Sequence, residues 1–165
     1  MNPLYYEDLE VGMVFETPGR TITEADIINF AGVSGDFYSI HTDEEFSRKT
    51  IFGGRVAHGL LTVSIVTGLW FRTGIFEPSL IAFYGIDNLR FIRPVRIGDT
   101  VRARLTVIDK RKKDLGGIVT FKNEVYNQRG ELVLVFNALL LISYREKSHS
   151  NSPSFEAPPP SSGSH

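Results

Sequence analysis

The chain has 165 residues, 42% of them hydrophobic and 22% charged, and a net charge of −1. That length and balance suit one soluble domain with a substantial core and give no bulk attraction to nucleic acid or anionic membrane. No cysteine is present, which excludes disulfides, thiolate catalysis and thiolate metal ligands, and fits a reducing cytoplasm as the expected location.

The first residues, Met1 to Asp8, lack the basic and apolar regions of a signal peptide, so none is expected. Met13–Glu16 reads as a short strand ended by Pro18-Gly19. Thr23 then caps a helix whose apolar positions Ile27, Ile28, Phe30 and Ala31 recur at helical spacing, broken by Gly32 and Gly35. Thr42 reads as the start of a second short helix, because Thr42-x-x-Glu45 is a capping-box pattern. After Gly53-Gly54 comes a long helix of about Ala57–Thr73, apolar on nearly every side and therefore expected to be buried all round. Its apolar run is too short and too interrupted to span a bilayer, which needs about 20 apolar residues.

Beyond Pro78 the period changes to that of strands. Leu80–Gly85 and Leu89–Arg93 read as one or two strands closed by Pro94. Val101–Val107 and Val119–Val125 alternate apolar with polar residues, as half-exposed strands do. Asn127–Gly130 is a hairpin turn, and the nearly all-apolar Leu132–Ile142 reads as a central strand buried on both faces. Residues 147–165 are rich in Ser and Pro and are expected to form a disordered tail behind a domain of residues 1–146. Helices and strands in blocks point to an α+β class. An apolar helix needs a curved antiparallel sheet around it, the hotdog architecture, and the edge such a sheet leaves predicts a dimer.

The chemistry concentrates in Ser34-Gly35-Asp36-Phe37-Tyr38-Ser39-Ile40-His41 and in His58-Gly59. A carboxylate and an imidazole five residues apart in a Gly-flanked turn can hold one water as an acid/base pair, Asp36 with His41. On spacing alone the alternative stands beside it: Asp36 as a turn residue and His41 as a packed core histidine. Gly59, at the start of the long helix, offers an unpartnered amide to a ligand oxygen, or simply allows close packing. His58 beside it is a candidate substrate contact, a second acid/base group, or structural. No metal site is expected, since His149 and His165 fall in the tail and His41 with His58 do not make one.

From Tyr5 to about Arg145 the chain resembles the MaoC-like dehydratase family of R-specific enoyl-CoA hydratases. The resemblance rests on Leu9-Glu10-Val11-Gly12, Ile22–Asp26, Phe30-Ala31-Gly32, Ser34-Gly35-Asp36 through His41, and Val56-Ala57-His58-Gly59-Leu60. It continues through Arg90–Val95 and Gly98-Asp99-Thr100. It implies a hotdog homodimer that adds water to a trans-2-enoyl-CoA to give the (R)-3-hydroxyacyl-CoA, with no cofactor beyond the coenzyme A thioester itself. Asp36 and His41 map onto the family's catalytic pair, Asp36 read as base and His41 as proton donor, and Gly59 onto its carbonyl-binding amide. One departure stands out: where the family reads Asn-Pro, this chain has Tyr38-Ser39. Loss of Pro frees a fixed φ, and Tyr38 becomes a candidate to restrict or hydrogen-bond the acyl group.

Two other readings compete. An acyl-CoA thioesterase on the same fold would use a carboxylate on the central helix, and Leu60–Thr73 has none. A non-catalytic acyl-CoA-binding module would bind without turnover. Arg55, Arg90, Arg93, Arg96, Arg102 and Arg104 are candidates for the phosphates of coenzyme A, and the basic run Lys110–Lys113 reads as a surface turn.

Overall fold

The computed structural model describes residues 2–145. The tail expected over 147–165, with its boundary and with His149 and His165, lies outside the described residues. A 3-10 turn at Tyr6–Asp8 leads into β1 (Val14–Glu16) and β2 (Arg20–Thr21). Three helices follow, α1 (Glu24–Ser34), α2 (Ser39–Thr42) and α3 (Glu44–Arg48), and then the long α4 (Gly59–Phe71). The chain closes with β3 (Leu80–Phe91), β4 (Thr100–Lys112), β5 (Gly117–Tyr126) and β6 (Leu132–Ile142). All pairings are antiparallel, in the order β1-β4-β5-β6-β3, with β2 added to β4. The sheet curls its apolar face around α4, and the result is a hotdog fold.

Alternation explains why the strands face as they do. Val101, Ala103, Leu105 and Val107 of β4 are all buried, and the intervening Arg102 and Arg104 point to solvent. The register sets Leu105 opposite Asn123, and Asn123 opposite Phe136, so an amide sits in the middle of an apolar row. It is there for Trp70: the α4 indole Nε1–H donates to Asn123 Oδ1 at 2.9 Å, and the amide's own N–H donates to the Phe121 carbonyl at 3.0 Å. Both residues are fully buried, and Trp70 also packs against Phe76, Phe83 and Phe136.

Several local expectations need correction. The long helix starts at Gly59 rather than Ala57 and stops at Phe71. Ala57 donates its N–H to Val95, and Val56 bridges Arg96, so this stretch is extended before His58 opens the helix. The helix is not buried all round: Leu60, Ser64, Gly68 and Phe71 form an exposed stripe at helical spacing. Asp43 caps α3 by accepting from the Phe46 N–H, while Thr42 belongs to the preceding turn and bonds back to Phe37 and Tyr38. Gly32 lies inside α1; only Gly35 ends it, at φ +77°. β3 is a single strand with bulges, and β6 is buried at every second residue rather than on both faces.

The Trp70–Asn123 bond gives a stability prediction. Asn123→Ala strands a buried indole donor and should cost about 1–3 kcal/mol. Urea unfolding followed by fluorescence of the single tryptophan should show the lower midpoint with an unchanged slope.

Candidate active site

The turn after α1 is built by hydrogen bonds to its own backbone. Gly35 takes the left-handed conformation that lets the chain reverse, and its N–H closes the helix on Ala31. Asp36 N–H donates to Ser34 Oγ at 3.1 Å, and Asp36 Oδ1 accepts from Tyr38 N–H at 3.2 Å. One helical turn, α2, then carries His41 inward, where it is buried. Its Nδ1 lies 2.7 Å from the Val56 carbonyl, which can only accept, so the proton sits on Nδ1 and Nε2 keeps its lone pair. The Val56 N–H in turn donates to Ile40 at 3.1 Å, so the two segments grip each other reciprocally.

His58, the residue before α4, completes the cluster. Its Nε2 donates to the backbone carbonyl of Asp36 at 2.9 Å, and its ring stacks on His41 with centroids 3.7 Å apart and planes 24° apart. A carboxylate oxygen of Asp36 and one ring nitrogen from each histidine lie within 4.8 Å of one another. A water making two hydrogen bonds of ordinary length at a tetrahedral angle bridges atoms about 4.5 Å apart, so groups held within 4.8 Å are within reach of one water. The same three residues suit a metal poorly. Stacked rings hold their in-plane lone pairs side by side rather than converging on a tetrahedral ion.

Asp36, His41, His58 and Gly59 open onto one cavity of about 570 Å³, walled largely by apolar groups including Phe30, Phe52, Phe91, Val133 and Leu134. Gly59 is the first residue of α4, so its N–H has no intrahelical acceptor and sits at the positive end of the helix dipole. The absence of a side chain matters here, since a Cβ would lie 2.5 Å from the Phe91 ring. Burial is the main force holding the His41 pKa below the usual histidine value; the Val56 bond pulls it up, neighbouring His58 pushes it down and Asp36 pulls it up.

Tyr38 is the candidate that the structure sets apart. It is more than half exposed, lies outside the cavity wall, and packs its ring edge-on to His41 and Phe46 at 6.2 and 6.3 Å. It therefore backs the imidazole from outside the cavity wall. Of the arginines, Arg93 lines the cavity, with one guanidinium N–H on the Leu132 carbonyl. Arg55 is taken up by Glu24 and Glu44, at 2.7 and 3.0 Å, and Arg104 by Glu16 at 2.9 Å. Lys110 of the basic run bonds the Leu9 carbonyl and covers the Tyr6 ring, a structural role. Sequence reasoning missed the Val56 carbonyl, since a backbone acceptor leaves no trace in residue identity. It also missed Phe30, Phe91 and the buried Thr62 as cavity wall.

The sequence matches the MaoC like domain family over residues 8–128. It is 47% identical over 108 residues to Protein MaoC of Klebsiella aerogenes, covering 66% of this chain and 31% of that protein. It is 40% identical over 106 residues to a 3-hydroxybutyryl-CoA dehydratase of Methylorubrum extorquens, covering 64% of this chain and 65% of that one. The chain thus spans less than two thirds of the length of either relative. The solved R-hydratase of Pseudomonas aeruginosa, in its unliganded form, superposes with a TM-score of 0.74 at 33% identity, covering 98% of this chain and 97% of that one. Among the described residues no helix is long and apolar enough to cross a membrane.

The turn also answers the missing proline. Ser39 is the first residue of α2, the position where proline is favoured, and Tyr38 before it has the extended ψ of 136° that proline requires. Ser39→Pro should therefore raise stability by about 0.4–1 kcal/mol, read as a higher thermal midpoint. A lowered midpoint would show that the Ser39 backbone is held in some other way.

Proposed function

The chain belongs to the MaoC-like domain family, and we propose that it adds water reversibly to a trans-2-enoyl-CoA, giving the (R)-3-hydroxyacyl-CoA. One observation carries this reading: Asp36, His41 and Gly59 line one largely apolar cavity, with a carboxylate oxygen of Asp36 within 4.8 Å of a ring nitrogen of His41. An acceptor pair and a carbonyl donor are what hydration of a conjugated thioester needs.

The thioester oxygen accepts from Gly59 N–H, which draws electron density away from C3. Water donates one hydrogen to Asp36 and the other to His41 Nε2. Because the Val56 carbonyl holds the His41 proton on Nδ1, the ring starts as an acceptor, which revises the donor role expected from sequence. As the water oxygen bonds to C3, its proton passes to Nε2 and the C2–C3 π electrons shift toward the thioester oxygen. The imidazolium then returns that proton to C2, so one O–H of water is divided between C3 and C2 on the same face. Asp36 stays ionised and stabilises the transient imidazolium. No cofactor enters, coenzyme A being part of the substrate, and Arg93 is the arginine placed to meet it. In this proposal the protein works in the cytoplasm as a homodimer. A second copy would cover the free flank of β3, where Ile81, Phe83 and Tyr84 are exposed, and the stripe on α4.

The test is a panel of enoyl-CoA substrates of different length, branching and charge, followed by loss of enoyl absorbance. Asp36→Asn and His41→Ala, correctly folded, should each lose about 10²–10⁴-fold in kcat. Activity within a few-fold of the parent would reject the dyad. Release of free coenzyme A would instead indicate a thioesterase, and thermal stabilisation by enoyl-CoA without turnover a binding module.

The pH dependence has a fixed sign. His41 acts as its neutral form and its pKa is depressed, so kcat/KM should fall on the acid side at a pH below the ordinary histidine value of about 6.5. An acid limb at or above that value would mean that the neutral ring is not the working species.

A further inference from the structure

His58 is a buried imidazole for which the proposed reaction has no step, yet it touches every part of the site. On one side its Nε2–H holds the Asp36 carbonyl at 2.9 Å. On one face it stacks on His41 at 3.7 Å, and it packs against Phe30 of α1 with ring centroids 5.0 Å apart. Along the chain it is the residue that opens α4, directly before the Gly59 amide. Its Nδ1 is buried with no hydrogen-bond partner, and the residue is only 3% exposed.

We propose that His58 is a positioning residue: one imidazole sets the Asp36 backbone, the plane of the His41 ring and the start of α4 relative to one another. The inference rests on the hydratase reading above and deepens it. Asp36 depends on this most. Its own N–H and carboxylate bond only to Ser34 and Tyr38 within the turn, and the residue is exposed. Without the His58 bond the carboxylate would ride on an exposed loop, joined to the start of α4 only indirectly, through α2 and its bonds to Val56. A displacement of about 1 Å in such a group can cost about 10²-fold in rate.

Two substitutions separate the parts of the role. His58→Phe keeps the volume and the stacked face but removes the donor to the Asp36 carbonyl. His58→Gln brings an amide N–H to roughly the place of Nε2 while losing the ring. The expected result is a loss of about 10²-fold in kcat for His58→Phe with KM within threefold, and recovery of at least tenfold of that loss in His58→Gln. A second readout needs no substrate: the NMR titration of His41 in the full chain. The groups facing His41 are Asp36 from the turn before α2, His58 from the start of α4 and Tyr38 from its own turn. Removing His58 takes away a neighbour that lowers the His41 pKa, so the His41 midpoint should rise in both variants.

The inference is overturned by folded variants with kcat within threefold and an unchanged His41 titration. It is equally overturned by raised KM at unchanged kcat, which would mark His58 as a direct substrate contact. If His58→Phe does not fold, judged by circular dichroism, His58→Gln decides. If the wild-type protein hydrates no enoyl-CoA the hydratase reading fails, and an unchanged His41 titration in both variants would still overturn the contact between the two rings on which the inference stands.

Discussion

One hydrogen bond organises the site: His41 Nδ1–H to the Val56 carbonyl, 2.7 Å long and buried. It does two things at once. It anchors the one-turn helix α2 to the extended segment that precedes α4, and it decides which nitrogen of the ring is left for chemistry. A neutral imidazole has one donor and one acceptor, so committing the donor to a main-chain oxygen makes the other nitrogen a base. Asp36 gains its place less directly, through its own carbonyl and His58. Asp36 and His41 are thus both registered against the same short stretch of backbone, Val56 to Gly59, which is in turn tied to the β3–β4 connection by the Val95 carbonyl.

The elements that are regular in structure were legible because their periodicity has a single reading. Alternation in Val101–Val107 can only be a half-buried strand, and the structure buries those four apolar residues. Thr23 with Asp26 is a capping pair in which each side chain accepts from the other's backbone, a local device that does not depend on tertiary context. Errors arose where two local signals competed. Thr42 and Asp43 are both good caps, and the choice fell to Asp43 because Ser39–Thr42 had already closed a turn of its own to carry His41 inward. The bounds of α4 shifted because Ala57 spends its N–H on Val95, an acceptor far along the chain that no local pattern announces.

At the site, residue types were legible and orientations were not. Asp36, His41, His58 and Gly59 do line one cavity, as two motifs separated in sequence suggested. Tyr38 does not: it is the residue before the single helical turn, and its ring packs against Phe46 and the edge of His41 outside the cavity wall. The protonated nitrogen of His41 was also beyond sequence, since it is set by a main-chain oxygen that every residue possesses. The departure from Asn-Pro to Tyr38-Ser39 looked consequential for the same reason. In the structure the turn survives it, because its geometry comes from the Thr42 and Ser47 hydroxyls bonding the backbone of Phe37, Tyr38 and Ser39.

The distribution of forces across the molecule follows from this. The sheet and α4 are held by apolar burial, which is large in sum but insensitive to direction, with Asn123 supplying one directional bond to orient Trp70. The short helices around Asp36 and His41 bury little, and their ion pairs, such as Arg55 with Glu24 and Glu44, involve partly exposed acids in which water weakens the attraction. Precision there must therefore come from short hydrogen bonds to main-chain oxygens, each shielded by a neighbouring ring. Phe30 covers His58, His58 covers His41, and His41 covers the Val56 carbonyl it binds. The directional bonds of these helices to the rest of the site therefore converge on one segment, Val56 to Gly59, and that segment fixes where Asp36 and His41 stand relative to the start of α4.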